Sequence, residues 1–325
     1  MNLNKNILLS IICRSYNGEH FIHSALKSLS ENLNDKCEVI IVDNGSSDNT
    51  ISIVKKFLNE EKYTFKAKLI EQINSGPGGS SNTGLDNVSG KYIGFLDCDD
   101  IYLKIFKSKI IKILEEEDLD ILEYGFLIFS ENIKINEENY KSLYQNLHGM
   151  YSTENILDKI FSRTNWYPFT RIFKKKLWEN IRFPLNKAYE DDMTLYKIFL
   201  RSKSIFLLNE PAIAYRNHSN SITARHTKKQ LFDLIDFYWK LDIEEKYKNI
   251  FKLRLARHIS YFSHELNQGK NEYEKILIDQ KKIKFTFKKI LLFKVSDIFY
   301  YFLPSLYNLI NLIRFRYIKS LINKN

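Results

Sequence analysis

Residues 91–100 read KYIGFLDCDD, an apolar run from Tyr92 to Leu96 that ends at Asp97, Asp99 and Asp100. Three carboxylates within four residues repel one another, and each is costly to desolvate. Such a cluster calls for a cation. A hard divalent ion takes oxygen ligands and accepts a few carboxylates when phosphate oxygens complete its shell. Capping a following helix would explain one or two of these aspartates, but not three. Asp97 and Asp99 are two apart, so on an extended strand they share a side; where the chain bends they can diverge to do different jobs.

Three further polar stretches follow apolar runs in the same way: Tyr16-Asn17-Gly18-Glu19, Asp43-Asn44-Gly45, and the glycines from Gly76 to Gly84. Each alone is weak, since Asp43 could cap a helix and glycines make turns. Their common position is what counts. Ile7 to Cys13, the run EVIIVD, KAKLIEQ and KYIGFLD read as strands, the first two buried on both faces. Between them, EHFIHSALKSL places Phe21, Ile22, Ala25, Leu26 and Leu29 on one helical stripe. ISIVKKFL is helical by period, with Ser47 or Asp48 as its expected N-cap. NSGPGGSSNTGLDNVSG is expected to begin as a glycine-rich loop and run into a short helix. Strand and helix alternate, so the first part of the chain is α/β with a mainly parallel sheet. In such sheets ligands bind outside the carboxyl ends of the strands, which is where all four polar stretches fall. After Ile101 a helix is expected through KSKIIKILEEE, a strand through LDILEYGFLIF, a helix from about Asp191, and a strand followed by a polar turn within SIFLLNEPAIAYRNHSNSIT.

The 325 residues suffice for one large domain and an appendage. Of the formal net charge of +10, nearly all sits between Lys281 and Asn325, where ten Lys and Arg face one acid, Asp297. The rest is close to neutral, which argues against nucleic acid as a partner. Cys13, Cys37 and Cys98 have neither metal-site spacing nor a disulfide framework, which suits a reducing compartment. The opening MNLNKNILLSIICRS is too short in its apolar stretch for a signal-peptide core and reads as a first strand. The tail has no apolar run of about eighteen residues, as spanning requires. Its mix of cations with Tyr and Phe suits peripheral contact with an anionic membrane surface, or else a packed helical cap or a homo-oligomer contact.

Six stretches carry a resemblance: CRSYNGE (Cys13–Glu19), VDNGSSDNT (Val42–Thr50), GPGGSSNTGL (Gly76–Leu85), Asp97-Cys98-Asp99, YEDD (Tyr189–Asp192) and YRNHSNSIT (Tyr215–Thr223). Together they resemble the inverting family-2 glycosyltransferases of the GT-A fold, the bacterial type that builds capsule, lipopolysaccharide or other surface glycans. The likeness covers roughly residues 5 to 225. It departs from the family pattern where Cys13 or Arg14 stands near the usual Pro, and where Ser81 replaces the usual Arg. The resemblance implies a GT-A catalytic domain over residues 1–225, with a nucleotide-binding half (1–100) and an acceptor-binding half (101–225). A helical, basic-aromatic extension follows over 226–325.

The resemblance also implies roles. Glu19 and Asp43 would contact ribose and uracil, with backbone near Ser15 and Tyr16. Gly78, Asn82, Asp97 and Arg216 would belong to the donor side. Asp99 would hold Mn²⁺ or Mg²⁺, with His218 as a further candidate ligand. Asp191 would be the general base, with Glu190 and Asp192 as rivals; neighbours on a helix point about 100° apart, so one of the three should face the acceptor. The donor would be a nucleotide-sugar, UDP-linked, and the acceptor a glycan or lipid-linked oligosaccharide at the cytoplasmic face of the cell membrane. Arg225 could supply the cation that Ser81 does not provide. Two alternatives stay open: a sugar nucleotidyltransferase, and an inactive binding protein of the same fold.

Overall fold

The structure, a computed structural model, describes residues 6–130, 140–141, 147–163, 166–218 and 228–248, together with 250, 251 and 254. It falls into two compact units, Met1–Asn155 with Asn165–Ser221, and Ile156–Thr164 with Ile222–Asn325.

The first unit is α/β. Strands β1 (Leu9–Ser15), β2 (Cys37–Asp43), β3 (Lys66–Glu71) and β4 (Tyr92–Asp97) are parallel in the order β3-β2-β1-β4. Helices α1 (Ile22–Asn32), α2 (Thr50–Glu60) and α3 (Gly76–Asn87) connect them. The β-branched runs of β1 and β2 are buried on both faces, as their sequence requires. On β3, at the end of the sheet order, Lys66, Lys68 and Glu71 are exposed, a charged edge that discourages pairing with another chain.

Beyond β4 come β5 (Ile101–Tyr102), a π-helical turn at Phe106–Ile110, α4 (Ile111–Glu116) and β6 (Ile121–Phe129). Then follow β7 (Tyr140–Lys141), β8 (Gly149–Ser152), α5 (Thr153–Arg163), β9 (Arg171–Lys174), α6 (Glu190–Arg201) and β10 (Ser204–Arg216). β9 slots antiparallel between β4 and β6, and β10 runs parallel to β6. Pro211 interrupts the β10–β6 register, since it has no N–H to give the ladder. Helix α7 (Lys228–Lys240) belongs to the second unit, in which Phe161 packs edge-on against Tyr247 and Phe251. The rest of the basic tail, and Arg225, lie outside the described residues. Among the described residues no helix is long and apolar enough to cross a membrane.

Three expectations are corrected. The stretch from Gly76 is helix from the start rather than loop, with Pro77 in its first turn, where its missing N–H costs no helix bond. Asn49, not Ser47 or Asp48, is the N-cap residue of α2; Asp48 instead accepts from the Thr50 N–H at 3.0 Å, a local turn. The helix expected across KSKIIKILEEE is split, its first part wound as a π-turn.

In register, Ser15 pairs with Asp43 and Arg14 with Asp97, so the carboxyl ends of β1, β2 and β4 share one edge. Near the opposite edge the buried Glu38 accepts from Ser10 Oγ at 2.6 Å and Ser89 Oγ at 2.9 Å. On β1, Leu9, Ile11 and Cys13 join the core cluster that includes α1, while Ile12 meets α3 at Gly84. A Cβ on Gly84 would lie 2.3 Å from Ile12 Cγ2. Gly84→Ala should therefore lower stability by about 1–3 kcal/mol, the range for overpacking a tight contact, read as an earlier midpoint in urea unfolding.

Candidate active site

At the ends of β1 and β2, two loops are stapled together. Asp43 is fully buried and accepts four hydrogen bonds: from the Gly45 and Ser46 N–H groups at 3.1 and 2.9 Å, and from the Ser15 and Ser46 hydroxyls at 3.2 and 2.6 Å. Glu19 accepts from Asn49 N and Nδ2 at 3.0 and 2.9 Å. The Gly18 N–H donates to Thr50 Oγ1 at 2.8 Å. Tyr16 projects from this ridge, 51% exposed. Ser15, Glu19 and Asp43 thus organise one concerted turn, with Tyr16 as its open aromatic face.

Helix α3 explains its glycines by its neighbours. A Cβ on Gly78 would stand 2.5 Å from the Pro184 carbonyl oxygen. Asn82 exchanges two hydrogen bonds with Phe183, Nδ2 to the carbonyl at 2.8 Å and backbone N–H to Oδ1 at 2.9 Å. Gly78 and Asn82 thereby fasten α3 to the segment that leads into α6.

At the end of β4 the three aspartates diverge. Asp97 meets Arg14: Nε donates to Oδ1 at 2.8 Å, and Nη2 lies 2.6 Å from the same oxygen. Asp99 Oδ2 lies 2.9 Å from His218 Nε2. Asp100 is buried and accepts from the Arg216 N–H at 2.9 Å, while its Oδ2 has no hydrogen-bond partner. Burial, then repulsion from Asp99 and Asp97, pushes the Asp100 carboxyl well above the usual range. Arg216 donates through Nε to the Asp99 carbonyl at 2.9 Å and lies over the rings of Phe21 and Phe129, 4.9 and 4.4 Å from their centroids.

Asp99 Oδ2 and His218 Nε2, one oxygen and one nitrogen converging within hydrogen-bond distance, are donors of the kind a divalent ion takes, and its remaining ligands would have to come from elsewhere. No group of three or more such side chains that could hold an ion by itself is present among the described residues. The unpartnered Asp100 Oδ2 leaves a further oxygen in the same turn.

Helix α6 opens at Tyr189, which is left-handed at φ 60°, and its first turn carries Glu190, Asp191 and Asp192. Glu190 and Asp192 are buried; Asp191 is the more open of the three, yet its Oδ1 is enclosed and has no hydrogen-bond partner. Burial, then the adjacent Glu190 charge, pushes the Asp191 carboxyl well above its ordinary value. Burial also lifts Glu190 to about 6, against the pull of Arg14. Arg14 reaches this group too, with Nη1 3.9 Å from Glu190 Oε1, and donates to Ser81 Oγ at 3.1 Å. Burial works against its charge, but Asp97, Asp191 and Glu190 outweigh that and hold it firmly protonated. Sequence reasoning gave Arg14 no role; the signal in the sequence was a cation at the end of an apolar run, and its pairing with Asp97 comes from the strand register.

Comparison with known proteins fits this geometry. Residues 10–186 match the family model described as Glycosyl transferase family 2. The chain is 27% identical over 237 residues to the glycosyltransferase GlyA of Streptococcus pneumoniae, covering 70% of this chain and 33% of that one. It therefore spans about a third of the length of that relative. Over 200 residues it is 30% identical to the GalNAc(5)-diNAcBac-PP-undecaprenol beta-1,3-glucosyltransferase of Campylobacter jejuni, 61% of this chain and 62% of that one. Among solved structures, Staphylococcus aureus TarS 1-349 in complex with UDP-GlcNAc superposes with a TM-score of 0.67 at 22% identity, over 89% of this chain and 84% of that one. That likeness is one of fold, and it bears out the GT-A architecture with its mainly parallel sheet.

The raised carboxyls give a pH signature. A carboxyl whose pKa is higher folded than unfolded favours the folded state below its unfolded pKa and loses that contribution as pH rises through the folded one. Glu190→Gln, which removes one charge from the group, should raise stability at pH 8 by about 2 kcal/mol, the worth of about 1.5 pKa units. At pH 4 the gain should vanish. Thermal melts of the two proteins at both pH values check this.

Proposed function

The chain belongs to glycosyl transferase family 2, and on that premise we propose that it moves a sugar from a UDP-sugar to a hydroxyl of a glycan or lipid-linked glycan, inverting the anomeric centre. The observation that carries the reading is Asp191. Its Oδ1 is enclosed and unpartnered while Glu190 and Asp97 beside it are engaged by Arg14. An unpartnered carboxylate oxygen beside the acceptor is what a general base needs.

In this reaction the acceptor oxygen bonds to the anomeric carbon as the bond from that carbon to the diphosphate breaks. The hydroxyl proton passes to Asp191, and the nucleoside diphosphate leaves with the bonding electrons. Asp99 and His218 would hold Mn²⁺ or Mg²⁺, which when bound supplies Lewis-acid stabilisation of charge on the leaving diphosphate. Tyr16, Glu19, Asp43 and Ser15 would form the base and ribose end of the donor pocket. Gly78 and Asn82 would shape its wall, and Asp97 and Arg216 its sugar-diphosphate end. Glu190 is assigned to the acceptor side beside the base.

A UDP donor is supported by the TarS complex with UDP-GlcNAc. A lipid-linked acceptor is supported by the name of the Campylobacter relative. Such an acceptor would put the enzyme's work at the cytoplasmic face of the membrane, where the basic tail would meet anionic lipid. Membership of the family sets aside the nucleotidyltransferase alternative; measured turnover decides between an enzyme and an inactive binding protein.

Asp191→Asn should leave UDP affinity in the presence of Mn²⁺ nearly unchanged by calorimetry while transfer falls by about 10²–10⁴-fold, the usual loss of a general base. Asp192→Asn should cost least. Near wild-type transfer by Asp191→Asn beside a dead Asp192→Asn would move the base by one residue. Asp99→Asn, and EDTA added to the wild type, should each abolish most donor turnover; full activity in EDTA would remove the metal from the proposal.

A further inference from the structure

We propose that Arg14 is the positioning residue of this site, and that the site requires a guanidinium at that place in space rather than at that place in the sequence. The inference rests on the transferase reading. Arg14 joins four elements: it sits on β1, doubly engages Asp97 of β4, donates to Ser81 of α3 and lies against Glu190 of α6. Its side chain is 10% exposed and that of Glu190 8%. Asp97 is its register neighbour on the adjacent parallel strand, so the pair is built into the ladder.

Ser81 completes the seat. It is fully buried, and its hydroxyl donates to the Pro77 carbonyl at 2.8 Å, leaving its lone pairs to accept from Arg14. The Arg14 head group therefore occupies the space directly over residue 81. A longer side chain starting at 81 would enter the volume that truncation of Arg14 vacates. The guanidinium holds the donor-side Asp97 and the acceptor-side Glu190 at once, and it offsets the repulsion of both with Asp191. A lysine has neither the fork nor the fixed plane to do this.

The test is a transposition. Arg14→Ala, Arg14→Lys, Ser81→Arg and Arg14→Ala/Ser81→Arg are compared with wild type by donor turnover over a panel of UDP-sugars and by thermal unfolding. Arg14→Lys should stay folded but lose at least about tenfold in kcat/KM, with donor KM raised and kcat lowered together. Ser81→Arg alone should be destabilised by two adjoining guanidinium groups. The double variant should regain turnover to within about threefold of wild type and unfold at a higher temperature than either single variant. Wild-type kinetics in Arg14→Lys would overturn the proposal. So would a folded double variant no more active and no more stable than Arg14→Ala. If wild type turns over none of the donors, the transferase reading fails, and the unfolding cycle alone still decides whether the guanidinium can be transposed. If Arg14→Ala does not fold, recovery of a folded protein in the double variant supports the proposal and its absence overturns it.

Discussion

Asp97, Asp99, Asp100, Glu190 and Asp191 crowd one edge of the sheet, and their mutual repulsion is paid in stability unless each finds an answer. The answers differ. Asp97 and Glu190 face a guanidinium; Asp99 faces an imidazole; Asp100 accepts a backbone N–H and is pushed towards its neutral form by burial. Asp191, like Asp100, keeps an enclosed oxygen with nothing bonded to it, but its residue is the more open of the two. A parallel sheet is what makes such crowding feasible. Its strand ends fall at one edge by topology, so residues far apart in sequence converge without long loops.

The small residues of α3 answer a second constraint. The helix is pinned between β1, where Gly84 meets Ile12, and the segment at Phe183 and Pro184, where Gly78 and Asn82 make contact. Larger side chains would hold it off both. The helix thereby lies between β1 and the segment leading into α6, whose Glu190 stands 3.9 Å from Arg14.

Much of this was legible in the sequence because it is local. The buried runs of β1, β2 and β4 and the polar turns that follow them are written in consecutive residues, and the site falls where those turns converge. What was missed depends on partners distant in the chain. GPGG reads as loop by composition, since glycine disfavours helix by about 1 kcal/mol relative to alanine; close packing on Ile12 and Pro184 overrides that preference. RIFK is too short to signal a strand, and β9 exists because β4 and β6 flank it. Arg14 looked like the end of an apolar run, and only the register with Asp97 shows what it meets.

The antiparallel insertion of β9 also imposes an order on assembly. The units β1-α1-β2, β2-α2-β3 and the return to β4 are complete by Asp97, with short crossovers, so that half of the sheet can pair as it leaves the ribosome. Ile121–Phe129 has no strand joining it to β4 until Arg171–Lys174 is made, and its parallel neighbour arrives only with Ser204–Arg216. Until then β4 and the Ile121–Glu123 part of β6 lack the partner that β9 supplies, and unpaired strand edges are templates for mispairing. Closure between residues 94 and 172 is a long-range event that slows folding. The stretch of synthesis between β6 and β9 is therefore where a nascent chain of this fold carries open strand edges.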